Sequence, residues 1–150
     1  MPDVIILIDG RSGSGKTTLA HALGKHLDWP VVHLDDFYPG WDGLAAGRAA
    51  VPSVITERRF QRWDWEHNIA GTWVDVPRGD LIIEGVGAVT AASIRAAGDD
   101  VLTIVVQAPV EVRKARALRR DPGFAEYWDM WAAQEDEHFA NFVPVDMIVR

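Results

Sequence analysis

No cysteine occurs among the 150 residues. Disulfides, thiolate metal sites and cysteine nucleophiles are therefore excluded together. Basic residues are also scarce, with 15 Lys and Arg against 22 Asp and Glu and a net charge of −7. That balance argues against a nucleic-acid binder, which needs a net basic face. No apolar run approaches the ~18 residues of a membrane span. The first apolar run is preceded by Asp3 and by no basic stretch, so no secretory signal is expected. A cytoplasmic protein with a small-molecule partner, and with neither membrane nor nucleic acid, is the expectation. Repeats, linkers and low-complexity tracts are absent too, so residues 1–150 are expected to form a single domain. A hydrophobic fraction of 48% is enough for a core, and seven tryptophans are the compositional oddity.

Val4–Asp9 (VIILID) is a continuous apolar run closed by Gly10, the pattern of a strand buried on both faces. Leu19, Leu23 and Leu27 recur at helical spacing. Further strands are expected at Val31–Leu34, Leu81–Glu84, Val101–Gln107 and Val145–Val149. Helices are expected at Glu57–Ile69, Ala88–Ala97, Val110–Arg120 and about Ala125–Phe139. Residues 36–56, rich in Gly, Pro and Ala, read as a loop with partial structure. Strands alternating with helices predict an α/β fold, a doubly wound parallel β-sheet flanked by helices in three layers.

Gly10-Arg11-Ser12-Gly13-Ser14-Gly15-Lys16-Thr17 matches G-x-x-x-x-G-K-[ST] at every fixed position, after a buried strand and at the start of a helix. Glycines let backbone N–H groups of such a loop, here including Ser12 and Ser14, turn towards phosphate oxygens. The helix adds its positive end. Lys16 supplies a mobile cation for the β- and γ-phosphates, and Thr17 a hydroxyl for Mg²⁺. Thr18, next in the first turn, joins this nucleotide-binding set. A glycine-rich turn with a chance lysine would not also carry the strand and the helix.

Several charged residues sit where a phosphoryl-transfer site would need them. Glu84 ends a buried strand at the edge where open α/β sheets bind ligands, and is a candidate metal-side carboxylate; alone it would equally be a solvated strand-end acid. Asp35 and Asp36 follow the second strand, where a carboxylate can orient an acceptor hydroxyl, although an acidic turn is a common alternative. Arg113, Arg116 and Arg120 share one helix face. Arg116 and Arg120 are the candidates for screening transition-state charge, and solvated arginines are the alternative. Arg58, Arg59 and Arg62 lie beside Trp63 and Trp65, a grouping suited to an acceptor with a phosphate or a flat face; simple packing of the tryptophans is the alternative.

Taken together, these residues resemble the uridine kinase-like branch of the phosphate-loop nucleoside and nucleotide kinases. Leu34-Asp35-Asp36-Phe37-Tyr38 resembles the family's Asp-x-Phe-Tyr segment, Glu84-Gly85 its Glu-Gly strand end, and Arg120-Asp121 its lid-entry pair. The resemblance implies that Asp35 is the base for the acceptor hydroxyl, that Asp36, Tyr38, Arg58, Arg62, Trp63 and Trp65 border the acceptor, and that the adenine pocket lies near Phe142–Asp146. ATP and Mg²⁺ are implied, since no Asn-Lys-x-Asp guanine-reading motif occurs. The sequence departs from the family in a lid confined to about residues 110–128, and in a compressed, tryptophan-rich segment before Leu81. The expected activity is γ-phosphoryl transfer to a hydroxyl of a small, nucleoside-like molecule. A nucleoside monophosphate kinase of cytidylate type is an alternative, and an ATP-binding switch module that phosphorylates no small molecule is another.

Overall fold

The computed structural model describes residues 2–150. Its centre is a five-stranded parallel sheet in the order β2-β5-β1-β6-β7. These strands are β1 (Ile5–Asp9), β2 (Val31–His33), β5 (Leu81–Glu84), β6 (Val101–Val106) and β7 (Met147–Val149). Each parallel step needs a crossover. The helices that supply them are α1 (Lys16–Leu27), α2 (Leu44–Glu57), α3 (Ala91–Ala97), α4 (Val110–Arg120) and α5 (Trp128–Ala140). β1 is buried along its whole length because it lies between β5 and β6 and carries a layer on both faces. Ile5 and Leu7 enter the larger core with Leu81, Ile83, Val51 and Val54, while Ile6 and Ile8 enter the smaller one with Ile82 and Ala20 of α1. Alternate residues of one apolar strand thus feed two cores. Among the described residues, no helix is long and apolar enough to cross a membrane.

Two segments differ from the sequence expectation. Residues 36–56 are not a loop: after a 3-10 turn at Leu34–Asp36 they contain most of α2. Leu44, Gly47, Val51, Val54 and Ile55 form its buried stripe at helical spacing. Gly47 in that stripe and Pro52 within the helix disguise it. Gly47 is required, since a Cβ there would lie 2.4 Å from the Tyr38 ring. The expected helix at Glu57–Ile69 is instead an antiparallel hairpin, β3 (Arg59–Asp64) and β4 (Ile69–Asp75). A register shift between Gln61 and Trp63 breaks the apolar alternation by which such a ribbon would be recognised. The Asp64 carboxylate accepts from the His67 backbone N–H (3.0 Å) and Asn68 adopts φ 54°, which closes the turn.

Arg58 stands at the junction of α2 and the hairpin, with φ 56°. It is buried. Its guanidinium donates to the carbonyls of Ile55 (2.9 Å), Pro77 (2.8 Å) and Gly79 (2.8 Å), and reaches Asp3 at 3.3 Å. The side chain staples the helix end to the strand that leads back into the sheet. Charged hydrogen bonds contribute roughly 1.5–3 kcal/mol each, non-additively. Replacing Arg58 by Ala should therefore lower the unfolding free energy by about 2–4 kcal/mol in urea titration.

Candidate active site

The phosphate loop, residues 10–15, joins β1 to α1. Gly13 and Gly15 take φ 79° and 102°, and Ser14 N–H donates back to Arg11 O at 3.1 Å. Gly15 precedes α1 without any side-chain cap. The first N–H groups of α1 are therefore free of side-chain partners, as an anion seat requires. Lys16 lies folded over the loop, with Nζ 3.4 Å from Arg11 O. The Ser14 hydroxyl is buried and has no partner. An unpaired hydroxyl, free helix-end amides and a lysine at the same turn fit a polyphosphate ligand.

Behind the loop lies a set of buried groups that the sequence did not single out. Ser12 N–H donates to Glu135 Oε2 at 2.7 Å, and Ser12 O accepts from Arg113 Nη1 at 3.3 Å. One residue is thus held through both of its backbone polar groups. Glu135 is 1% exposed. Asp9, fully buried, accepts from the N–H groups of Gly10 (2.8 Å) and Val89 (2.9 Å) and lies 2.8 Å from His138 Nε2. At the surface, Arg11 pairs with the exposed Asp136 at 2.7 Å. A Cβ on Gly13 would fall 2.1 Å from Arg113 O, so only glycine lets the loop pack on the α4 backbone. Glu135, Asp136 and His138 all belong to α5, more than a hundred residues from the loop; no local spacing signals them.

On the metal side, Thr17 Oγ1 donates to Glu84 Oε1 at 3.1 Å. His33 Nδ1 meets the same oxygen at 2.5 Å, and His21 approaches His33 at 3.3 Å. Burial works against charge on Glu84, but the His33 hydrogen bond and the Lys16 and His33 charges hold its carboxyl below the ordinary value. The Glu84 hydrogen bond raises His33 against its own burial. A hydroxyl and an ionised carboxylate are donors that suit a small hard cation. Among the described residues no cluster of three metal-ligating side chains occurs. Mg²⁺ held here would complete its shell with phosphate oxygens and water.

Beside the loop opens a cleft of about 330 Å³ that brings together Lys16, Thr17, Asp35 and Arg120. Asp35 has high surface exposure, but that surface faces the cleft, with protein massed around it. This crowding pushes its carboxyl above the ordinary aspartate range; Lys16 pulls it back, Glu84 adds to the rise, and Arg120 and His33 oppose it. The walls are aromatic: Trp41, Trp65, Phe124, Trp131 and Tyr38. Trp41 stacks on Tyr127 with centroids 4.6 Å apart and meets Trp65 at 5.2 Å. Trp65 Nε1 donates to Asp35 O at 2.8 Å and ties the hairpin turn to the aspartate.

The remaining expected site residues are distributed less favourably. Arg58 is buried at the staple described above and reaches no cleft. Arg62 is exposed on the hairpin. Trp63 is half-buried there, with its indole N–H unpartnered. The Tyr38 hydroxyl is committed to Val86 O at 2.6 Å, and burial drives its pKa far up, so the ring serves as wall. Asp36 lies outside the cleft lining, and Thr18 is exposed on α1. Arg116 lies at the loop's rim, with Nη1 3.4 Å from Gly13 O. Trp131 and Phe124 were not signalled, being two more aromatics in a helical stretch.

A second and larger cavity, about 1180 Å³, borders the other side of the loop. It is mainly apolar and takes in Phe142, Val143, Pro144 and Val145, the segment expected to receive adenine, together with Gly10 and Arg116. The phosphate loop therefore separates two compartments: a wide apolar one and a narrow one with two acids, two cations and aromatic walls. That division suits a nucleotide on one side and an acceptor on the other.

Loss of Glu135 would leave a buried N–H without an acceptor, at a cost of about 1–3 kcal/mol. Glu135→Ala should lower stability by that amount in chemical denaturation. Glu135→Gln, which keeps a carbonyl acceptor, should recover most of it.

No protein-family model matches the chain, and no curated protein matches it in sequence. Solved structures do match it in shape. A protein described as a fructose transport system kinase from Silicibacter sp. TM1040 superposes with a TM-score of 0.63 at 19% identity, over 99% of this chain and 90% of that one. The shikimate kinase from Bacteroides thetaiotaomicron gives 0.59 at 19% identity, over 97% and 85%. A gluconokinase from Sinorhizobium meliloti 1021 gives 0.58 at 14% identity, over 99% and 81%. With its parallel sheet, flanking helices and phosphate loop after the first strand, the chain has the fold of the phosphate-loop small-molecule kinases.

Proposed function

We propose that this chain is an ATP- and Mg²⁺-dependent small-molecule kinase that transfers the γ-phosphoryl group to a hydroxyl. The observation that carries the reading is the meeting of Lys16, Thr17, Asp35 and Arg120 in one cleft beside the phosphate loop. Resemblance in fold to a shikimate kinase and a gluconokinase supports it. In this reading the α1 amides and Lys16 hold the polyphosphate. Thr17 and Glu84 face the cation, which when bound neutralises charge between the phosphates. Asp35 orients the acceptor hydroxyl and takes its proton as the new oxygen–phosphorus bond forms and the bond to the leaving ADP oxygen breaks. Lys16 and Arg120 balance charge on the group in transit. Arg116, on the loop's rim, attends the nucleotide side. The apolar cavity around Phe142–Val145 receives the base.

A nucleoside-like acceptor, as in the uridine kinase branch, draws support from the indole walls. The monophosphate-kinase alternative needs arginines that clamp an acceptor phosphate; Arg58 is committed to three carbonyls and Arg62 lies outside the cleft lining, which weakens it.

The test is Asp35→Asn with the acceptor identified by ADP release. Turnover should fall about 10²–10⁴-fold while ATP affinity stays within about twofold. A switch module that transfers no phosphate would show no acceptor-stimulated ADP release in the parent protein. In the parent, the acid limb of kcat against pH should lie above the ordinary aspartate range, because Asp35 is raised. The base works ionised, so activity is lost as pH falls through that raised pKa. Arg120 favours the charged form, so Arg120→Ala should move the limb to higher pH.

A further inference from the structure

The acceptor cleft has a charge inventory that narrows what can be phosphorylated. Its lining contains two cations, Lys16 and Arg120, and two carboxylates, Asp35 and Asp121. Both cations face the phosphoryl group in the reading above. The arginines that would clamp a second anion do not line the cleft, and Arg62 stands exposed on the hairpin. Arg58 is saturated behind the sheet. Arg59 lies over the Trp73 ring, 4.3 Å from its centroid. Arg113 donates to Ser12 and Ala108. A phosphate or carboxylate on the acceptor would enter beside Asp35 and Asp121 with no fork of donors to meet it. Unpaired like charges at such close quarters repel.

What the cleft offers instead is flat apolar surface at a fixed place. Trp41 and Trp65 meet at 60°, and Trp65 keeps 38% of its surface exposed. The indole N–H of Trp65 is held by Asp35 O. The ring therefore stands at a set position relative to the carboxylate that would take the proton. A molecule that lays a ring face on Trp65 brings a substituent hydroxyl towards Asp35.

We propose that the acceptor is a hydroxylated ring compound bearing no phosphate or carboxylate, held by its ring face on Trp65 and Trp41. The inference rests on the kinase reading for the word acceptor, and on the cleft alone for the chemistry. It sets the chain apart from a shikimate kinase and a gluconokinase, whose named substrates are carboxylates.

Two measurements test it. The first is acceptor-dependent ADP release with saturating MgATP, run on matched pairs: nucleosides against their 5′-monophosphates, and pyranoses and cyclic polyols against their carboxylated and phosphorylated counterparts. The second needs no turnover. The intrinsic tryptophan fluorescence of the complex with Mg²⁺ and a non-hydrolysable ATP analogue is titrated with the uncharged members and, separately, with inorganic phosphate. The expected result is a saturable response to at least one uncharged ring compound and none to phosphate at tens of millimolar. Trp65→Ala should weaken that response or raise the acceptor KM about tenfold, with the analogue's affinity unchanged. Turnover or binding of an anionic member as good as its uncharged partner overturns the proposal. So does silence from every uncharged compound, or indifference to Trp65→Ala. Uncharged ligands that bind without ADP release would uphold the cleft chemistry and defeat the kinase reading. ADP release driven by an anionic acceptor would do the reverse.

Discussion

The grip on the Ser12 peptide is the constraint on which the rest of the site depends. A phosphate loop works by pointing backbone amides at an anion, and amides aim only as well as the backbone behind them is held. Here Glu135 takes the Ser12 N–H and Arg113 its carbonyl. Asp9 secures the adjoining Gly10 N–H, and Gly13 sits flush on the α4 backbone. The outward face of the loop is left free for a ligand. Folding has already met the ordering cost that a floppy loop would pay on binding.

The same grip joins the two compartments. Along one face of α5, Trp131 forms part of the cleft's aromatic wall, Gln134 accepts from Leu44 N–H and donates to Trp41 O, Glu135 holds Ser12, and His138 meets Asp9. These positions fall at i, i+3, i+4 and i+7, so a single helix spans from the aromatic cleft to the root of the loop. α4 leads into this helix through the 3-10 turn at Pro122–Tyr127. One helix thus serves as aromatic wall and loop brace.

How far this was legible from sequence depended on how local each signal is. The phosphate loop and the strands around it follow from contiguous patterns, and Asp35 with Arg120 was found because strand ends and helix faces are local features. The α2 helix is hidden by Gly47, which the Tyr38 ring requires, and by Pro52 within the helix. The hairpin is hidden because a register shift breaks its alternation. Arg58 was read as a ligand-binding cation when its guanidinium in fact closes a structural junction. The Glu135 and His138 contacts had no signal at all, since buried acids that meet the backbone over a hundred residues away leave no periodic trace.

The loop is braced from behind before any ligand arrives. The direct measurement is a crystal structure of the complex with Mg²⁺ and a non-hydrolysable ATP analogue. The phosphates should lie on the amides of residues 13–17, the terminal phosphate should turn towards Asp35, the base should sit among Phe142–Val145, and the Ser12 contacts to Glu135 and Arg113 should stay unbroken. A nucleotide bound elsewhere, or a loop that releases Glu135 to receive it, would show that the brace does not set the loop.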